Sequence, residues 1–369
     1  MKKDKLIVKT ASGSYPVYLG NKIINSTGSM IKKQIPKAQK IFVIVDKKIP
    51  TNILKILKKS LKKYEVEVCK LNVNEKIKNY KVAFKLIESL LKKDFKRSDC
   101  VISLGGGVLG DLAAFVSNLT KRGIKFINIP TSLLSQSDAA IGGKTAVNSA
   151  IGKNLIGTFY QPKFVLIDIS TLESLPHREM ICGYGEILKH SLIQDRMFFF
   201  WLSKNAKKII YKRDKNILKL AINKSCFIKS KIVRKDEKEK KLRMILNFGH
   251  TFAHGFEAAK KFSKKMNHGE AVLLGMMIAS ELAYKKKLLS KNDLLLIKKH
   301  YLNLNLPMNI TKYFKKKEIK KVLNFMIKDK KNLNNKINLI LINRIGRATK
   351  PNNVNVSLNE IKSFLSSFY

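Results

Sequence analysis

Residues 100–111 read CVISLGGGVLGD, an apolar run that leads directly into four glycines. The first five residues have the composition of a buried strand, and a helical stretch follows from Asp111 to Ser117. Gly105, Gly107 and Gly110 fit the spacing G-x-G-x-x-G. Glycine allows backbone N–H groups to approach a pyrophosphate, and the helix that follows presents its positive end. The stretch therefore predicts an α/β domain that binds a dinucleotide at the end of a strand.

The ribose partner expected with this motif is missing. An acidic residue usually follows about 20 positions later, but residues 125–129 contain none. Asp46, which ends an earlier apolar run, is the alternative ribose ligand. The competing interpretation is a tight strand-to-helix turn without a ligand, and the sequence leaves both open.

Strand and helix patterns alternate around the motif. Strands are predicted at 41–45, 64–69, 100–104, 126–129 and 164–168, and helices at 50–63 and 80–91. Strands separated by helices imply parallel pairing. After Pro176 helical patterns dominate, with one strand expected at 337–342. We therefore expect an α/β Rossmann-like domain with a parallel sheet over residues 1–174 and a mostly α-helical domain over residues 175–369, because 369 residues exceed the usual size of one hydrophobic core.

The formal net charge is +48, from 74 basic and 26 acidic residues. Such an excess suits either a polyanion-binding protein or a composition that has drifted towards lysine. The lysines are spread along the chain instead of forming a block, and no motif that enters a nucleic-acid groove is present. We therefore favour drift, and expect non-specific RNA binding at low salt but no specific nucleic-acid partner.

Cysteine usage and hydropathy indicate the compartment. Cys69, Cys100, Cys182 and Cys226 form no Cys-x-x-Cys pair, so neither a disulfide scaffold nor a thiolate zinc site is predicted. Residues 1–5 are too polar to open a signal peptide, and no apolar stretch reaches the about 20 residues that span a bilayer. We expect a soluble, cytoplasmic protein with no membrane partner.

Three of the six histidines lie within a short stretch of the second half. His250 and His254 are four residues apart and share one face of a helix, a spacing that suits two zinc ligands. His268 and Glu186 complete a set of nitrogen and oxygen donors with open positions for a substrate, as in catalytic metal sites. The remaining histidines are interpreted as structural: His177, His190 and His300.

A second glycine-containing segment carries groups that suit a phosphate. Residues 137–148 read SDAAIGGKTAVN, and Gly-Lys-Asn follows at 152–154. Lys144 and Lys153 can each meet a phosphate as a point charge in a loop that closes on a phosphorylated substrate. A single lysine in so basic a chain is more often a surface residue, but the clustering with glycine, aspartate and asparagine favours a site.

Taken together, these motifs resemble those of the 3-dehydroquinate synthase family of sugar-phosphate cyclases. The resemblance covers most of the span from Asp46 to Lys331. The chain departs from the family's usual residues at Asn74, Ser132, Gly185 and His190, without losing a predicted ligand. The matching runs are residues 105–111, 122–123, 130–148, 152–162, 185–189, 243–254, 268–270 and 329–331.

The resemblance implies a lyase of the shikimate pathway, which supplies chorismate and the aromatic amino acids. Such an enzyme converts 3-deoxy-D-arabino-heptulosonate 7-phosphate to 3-dehydroquinate and phosphate. The implied route is transient oxidation by NAD, elimination of phosphate, re-reduction and an intramolecular aldol closure. The implied cofactors are NAD and one divalent metal ion, zinc or cobalt. A homodimer, with the active site in the cleft between the two domains, is also implied.

The resemblance also assigns residues to roles. Glu186, His250 and His268 would bind the metal, so that His254 would instead contact the substrate near its phosphate. Arg122 would reach the active site of a partner subunit. The NAD site would comprise Asp46, Glu75, Lys78, Gly106, Gly107, Val108, Leu109, Gly110, Asp111, Thr131, Ser132, Lys144, Lys153, Thr171, Leu172, Glu173 and Ser174. The substrate would be surrounded by Asp138, Lys144, Asn154, Lys189, Lys229, Arg243, Asn247, His254 and Lys330.

Two related functions remain as alternatives. One is a sibling cyclase that uses another sugar phosphate, and the other is a metal-dependent polyol dehydrogenase of related fold. Lys229, Arg243 and Asn247 are the residues suited to a substrate carboxylate, which neutral-headed sugars lack. These three residues therefore favour a sugar-acid phosphate as the substrate over a neutral sugar phosphate.

Overall fold

The computed structural model describes residues 4–261, 263, 265–329 and 336–369. The chain forms two compact units, the first made of Met1–Pro176 with Arg213–Lys238 and the second of His177–Lys212 with Glu239–Tyr369. The division into domains 1–174 and 175–369 stays a prediction. The compact units differ from it chiefly in one segment, because Arg213–Lys238 belongs to the first unit.

Strands and helices alternate before Pro176, and helices dominate after it, which confirms the predicted fold class. No helix in the described part of the chain is long and apolar enough to cross a membrane. The strands are β1 (Asp4–Thr10), β2 (Gly13–Gly20), β3 (Lys40–Asp46), β4 (Glu65–Leu71), β5 (Cys100–Gly105), β6 (Lys125–Pro130), β7 (Lys144–Val147), β8 (Ile156–Phe159), β9 (Phe164–Asp168), β10 (Lys336–Asn338), β11 (Ile342–Arg344), β12 (Arg347–Ala348) and β13 (Asn355–Ser357). The helices are α1 (Thr27–Gln34), α2 (Thr51–Ser60), α3 (Tyr80–Lys92), α4 (Gly107–Leu119), α5 (His177–Gln194), α6 (Arg196–Ile210), α7 (Lys215–Lys235), α8 (His250–Ala259), α9 (His268–Lys285), α10 (Lys291–Asn303), α11 (Ile319–Asp329) and α12 (Leu358–Ser366).

A seven-stranded sheet forms the centre of the first unit. Its order is β1-β2-β9-β6-β5-β3-β4, and neighbouring strands are parallel except for the antiparallel pair of β1 and β2. The sheet is buried on both faces. Ile41 and Val43 of β3 share a core cluster with α1 and α2, whereas Phe42 and Ile44 share one with α3 and α4. Period-two alternation in strand side chains produces these two cores.

The glycine motif lies where the strand order reverses. From β3 the chain proceeds to its neighbour β4, and it then returns to the other side of β3 to form β5. Val45 of β3 is in register with Leu104 of β5, so Asp46 and Gly105 follow at the carboxyl ends of adjacent strands. In open α/β sheets this crevice is where ligands bind.

Helix α7 belongs to the first unit because it packs on that unit's sheet and loops. It contacts β1, β2 and the helical turn Ser135–Ala139. Two side-chain bonds fix it there, from Lys219 Nζ to Asp4 Oδ1 at 2.9 Å and from Cys226 Sγ to the Gln136 carbonyl at 3.3 Å. Helical periodicity in a sequence indicates a buried face but not the element that covers it.

The second unit contains α5, α6 and α8 to α12 with two small antiparallel pairs, β10 with β13 and β11 with β12. The single strand expected at 337–342 is wrong. Only the ends of that run are strands, since the backbone changes partner between them: Leu339 N–H donates to Val354, and Leu341 accepts from Thr349. A continuous apolar run indicates burial but not a change of partner.

His300 of α10 makes this unit sensitive to acid. Its Nε2 is 2.7 Å from the Tyr184 hydroxyl and its Nδ1 is 3.1 Å from Ser203 Oγ, and burial lowers its pKa from 6.5 to about 4. The unfolded chain therefore binds a proton more readily than the folded one, so stability is present above pH 6.5 and is lost as the pH falls towards 4.

We expect His300→Gln to remove this sensitivity. Between about pH 7 and pH 4.5, the free energy of unfolding of the wild type should fall by about 2 to 3 kcal/mol more than that of the variant. Urea unfolding of both proteins across that range measures the difference. If the free energies of unfolding of the wild type and the variant change equally with pH, burial of His300 does not oppose its protonation.

Candidate active site

Glu186, His250 and His268 lie together in the second unit. One ligand atom from each forms a group whose members are all within 4.8 Å of one another. Glu186 is in the middle of α5, whereas His250 and His268 are the first residues of α8 and α9. Residues far apart in sequence thus converge in one donor set.

Glycines let the three helices approach closely enough for this convergence. Gly249, directly before His250, has a φ of +78°, and a Cβ there would lie 2.7 Å from the Met276 backbone nitrogen of α9. Gly269, directly after His268, would place a Cβ 2.3 Å from the Cα of Cys182 on α5. A larger residue at either position would push two helices apart.

The N-terminus of α9 is held so that His268 has a fixed position. A capping box joins Asn267 and Glu270, with Asn267 N–H donating to Glu270 Oε2 at 2.8 Å. Arg178 of α5 clamps the same carboxylate through Nε and Nη2, at 2.7 and 2.6 Å. Glu179 accepts from the Asn267 amide at 3.0 Å. The start of α9 is therefore bonded to the start of α5.

Both imidazoles direct Nε2 towards Glu186. His250 Nδ1–H donates to the Phe248 carbonyl at 3.3 Å, and His268 Nδ1–H donates to Glu257 Oε2 at 3.0 Å. The Nε2 atoms lie 3.7 Å and 4.0 Å from Glu186 Oε1, respectively. Bonds at Nδ1 fix the tautomer and leave the lone pair of each Nε2 facing the carboxylate.

Charge in this group is balanced by Lys189. Its ammonium forms an ion pair with Glu186 Oε2, and both side chains are only 2% exposed. Burial is the main cause that holds the pKa of His250 well below its usual range, and Lys189 acts in the same direction. His250 is therefore neutral near pH 7, the state in which an imidazole binds a metal.

Of the other residues predicted for this unit, His254 lies near the donor set. His254 lies outside the three-residue group, exposed, with its ring centroid 5.8 Å from that of His250 and 6.5 Å from that of His268. Arg243 is 2% exposed, and the Asn247 amide donates to Glu239 Oε1 at 2.8 Å. Lys330 lies outside the described residues.

In the first unit the glycine motif forms a strand-to-helix turn, with β5 ending at Gly105 and α4 beginning at Gly107. Gly106 is the N-cap, and glycine has no side chain that could bond to the helix end. A Cβ at Gly110 would lie 3.3 Å from the Asn128 amide of β6, so this glycine allows close packing of helix and sheet. Thr131 N–H donates to Gly105 at 2.9 Å and holds the next strand end alongside.

Lys78 joins residues assigned to NAD with a residue assigned to the substrate. Its ammonium lies 2.6 Å from Asp111 Oδ2 and 2.6 Å from Asn154 Oδ1, and the side chain is 5% exposed. Asn148 extends the network by donating to Glu75 Oε1 at 2.8 Å and accepting from Asn154 N–H at 3.0 Å. Burial raises the pKa of Asp111, and the Lys78 charge opposes that effect.

A second cation–carboxylate pair lies at the turn after β6. Lys229 of α7 is 2.9 Å from Asp138 Oδ1 and donates to the Asp138 carbonyl at 2.7 Å. Lys144 begins β7 instead of lying in the expected loop that closes on a substrate, while Lys153 lies in a turn. A pocket is lined by Gly107, Gly110, Asp111 and Lys144 with their neighbours. The structure thus brings the glycine motif and Lys144 together.

Two side chains that the sequence did not single out position the segment 171–174. Gln136 donates to Thr171 Oγ1 at 3.0 Å, and also to the Pro130 and Asp168 carbonyls at 3.1 Å. Arg213 donates to the carbonyls of Leu172 and Glu173 at 2.9 and 2.6 Å. Both residues act on backbone carbonyls, for which a sequence carries no signal.

Arg122 has an unusual backbone. Lys121, Arg122 and Gly123 have φ values of +48°, +58° and +117°, and the first two are not glycine. Arg122 is exposed, and within the described part of the chain its guanidinium has no hydrogen bond or ion pair. Strained conformations of this kind concentrate at functional positions.

Known proteins resemble the chain along almost its whole length. Family models described as 3-dehydroquinate synthase N-terminal and C-terminal match residues 68–182 and 183–332. The 3-dehydroquinate synthase of Pelagibacter ubique (strain HTCC1062) is 49% identical over 342 residues, 93% of each chain. That of Alkaliphilus metalliredigens (strain QYMF) is 37% identical over 365 residues, 99% of each chain.

A solved structure agrees with these sequence relatives. The structure of 2-deoxy-scyllo-inosose synthase complexed with carbaglucose-6-phosphate, NAD+ and Co2+ superposes with a TM-score of 0.87 at 25% identity, over 99% of each chain. Both halves of the chain match one family, and relatives more than 30% identical cover nearly all of it. The chain therefore belongs to the 3-dehydroquinate synthase family.

Proposed function

We propose that the protein is a 3-dehydroquinate synthase that converts 3-deoxy-D-arabino-heptulosonate 7-phosphate to 3-dehydroquinate and phosphate, with NAD and one divalent metal ion. The observation that carries the proposal is the donor set of Glu186, His250 and His268 in a chain whose relatives bear this name. It is supported by a glycine turn at the reversal point of a parallel sheet.

The donor set fits Zn2+ or Co2+. Two imidazole nitrogens and one carboxylate oxygen are a ligand set found in catalytic zinc sites, and three protein ligands leave positions open for a substrate. Both histidines have Nδ1 engaged, so Nε2 is available. A bound ion would supply Lewis acidity that favours loss of a proton from a substrate hydroxyl.

The first unit fits a dinucleotide. The uncapped start of α4 offers backbone N–H groups and a positive helix end to a pyrophosphate. Asp46 lies at the carboxyl end of the strand adjacent to this turn. Its carboxylate would accept a hydrogen bond from a ribose hydroxyl of the dinucleotide. NAD bound there would accept a hydride from the substrate and return it later, so that none is consumed.

The chain's own side chains would bind and orient the substrate. Lys229 and Arg243 are cations for its carboxylate, and the exposed His254 imidazole is suited to contact near its phosphate. Lys189 keeps a positive charge beside Glu186, where negative charge on a substrate oxygen would be stabilised. Of the predicted residues, Lys78 is buried between Asp111 and Asn154, so its part in the NAD site is to hold those side chains in place.

We also propose a homodimer in the cytoplasm. Apolar side chains of the first unit are exposed near the end of α4 and on the β7–β8 segment, among them Leu119, Leu155 and Phe159. An interface would bury these side chains if they form one patch, and Arg122 follows Leu119 by three residues in the chain. The four cysteines are free, which suits a reducing compartment, and fractionation of cells tests that location.

The proposal is tested by phosphate release from the heptulosonate phosphate in the presence of NAD and Zn2+ or Co2+, with and without a chelator. We expect release that requires the metal, equal formation of 3-dehydroquinate, and no net NADH. If the folded, metal-loaded protein releases none but turns over sedoheptulose 7-phosphate or glucose 6-phosphate, the sibling cyclase is the correct function instead.

A further inference from the structure

We propose that Glu257 is a positioning residue of the metal site, which holds the His268 ring so that Nε2 points at the ion. The inference rests on the proposed function, because it needs Glu186, His250 and His268 to be the ligands. Glu257 Oε2 accepts from His268 Nδ1–H at 3.0 Å, and Glu257 is 4% exposed. No role was assigned to this glutamate by the sequence motifs.

The location of Glu257 links two ligands. It lies on α8 two helical turns after His250, and its contact reaches the first residue of α9. Residues seven apart share a face of a helix, so α8 presents both a ligand and the group that orients another ligand. A buried carboxylate is costly unless it has polar partners, which makes an accidental glutamate at this position unfavourable.

The two histidines differ in how strongly they need such a partner. The His250 side chain is 14% exposed, and its Nδ1–H donates to a backbone carbonyl that no substitution removes. The His268 side chain is 39% exposed, so packing restrains its ring less. Orientation of His268 therefore depends on a side chain, and the negative charge of Glu257 also makes Nε2 a stronger donor to a cation.

Zn2+ affinity of the purified full-length protein, measured by competition with a chromophoric chelator, tests the inference. Glu257→Gln keeps the size of the side chain but removes its charge, and it should weaken zinc binding by about 10- to 100-fold. The visible absorption of the Co2+-loaded protein should change as well. Glu281→Gln is the matched control, since Glu281 lies on α9 and pairs with Lys298 at 2.6 Å, away from the donor set.

Three comparisons separate the possible results. Without metal, the Glu257→Gln protein should unfold at the same temperature as the metal-free wild type. If Glu257 served only to join α8 to α9, the variant would unfold at a lower temperature even without metal. Glu257→Asp, which keeps the charge but withdraws it from Nδ1, should also weaken zinc binding. Wild-type affinity in both Glu257 variants, together with lost binding in His250→Ala, overturns the inference and leaves the proposed site intact. Wild-type affinity in His250→Ala overturns the proposed site as well.

Discussion

His250→Ala should abolish specific zinc binding and reduce turnover of the heptulosonate phosphate by about a thousandfold or more. The substitution removes one of only three proposed protein ligands, so the metal ion would be lost. Lewis-acid stabilisation by such an ion is worth several kcal/mol of the activation barrier. Addition of Zn2+ should raise the thermal unfolding temperature of the wild type but not of the variant, since a ligand stabilises only the state that binds it. Metal analysis, thermal unfolding and phosphate release provide three independent measurements.

A matched histidine controls for non-specific loss. His177 lies in the same unit, is exposed, and stacks on Tyr211 with ring centroids 5.2 Å apart. His177→Ala should therefore leave zinc binding and turnover at the wild-type level. If His250→Ala retained both metal and activity, the ligand set would be wrong, and the i, i+4 neighbour His254 would be the next residue to substitute.

The parallel sheet was predictable because its strands carry a strong local signal. Cys100–Gly105 is buried at every position, so the sequence shows an unbroken apolar run that ends in glycine. Strand β1, at the edge of the sheet, was missed since Asp4–Thr10 mixes exposed lysines with few buried residues. Edge strands bury one face at most, so composition distinguishes them poorly from loops.

The grouping of the candidate metal ligands could not be predicted from sequence spacing. Spacing alone placed His250 and His254 together, because both are on one face of α8. Which residues share a ligand group depends instead on how α5, α8 and α9 pack at Gly249 and Gly269, and that is a property of the fold. Glu257 illustrates the same limit, since a glutamate on an amphipathic helix gives no sign that it faces a histidine from another helix. The residue pattern had already named Glu186, His250 and His268 together with His254, and only the resemblance to a family removed His254 from that set.

If Arg122 meets the anionic substrate, Arg122→Ala should reduce turnover by about a hundredfold, because such a cation acts in the transition state as well as in binding. If Arg122 completes the site of a partner subunit, zinc binding should stay at the wild-type level in this variant. The mass in solution, measured by light scattering, should be that of two 42.0 kDa chains for the wild type and the variant alike.

Mixing two inactive variants tests the shared site directly. A heterodimer of Arg122→Ala and His250→Ala chains has one complete site, because the chain that keeps His250 receives Arg122 from its partner. Random exchange gives about half heterodimers, each with one of two sites intact, so activity should recover to about a quarter of the wild-type value. The control pairs Arg122→Ala with a chain that carries both substitutions, where no partner can supply Arg122 and no recovery is expected. If Arg122 served the site of its own chain, neither mixture would recover, because every site would lack either the guanidinium or a metal ligand.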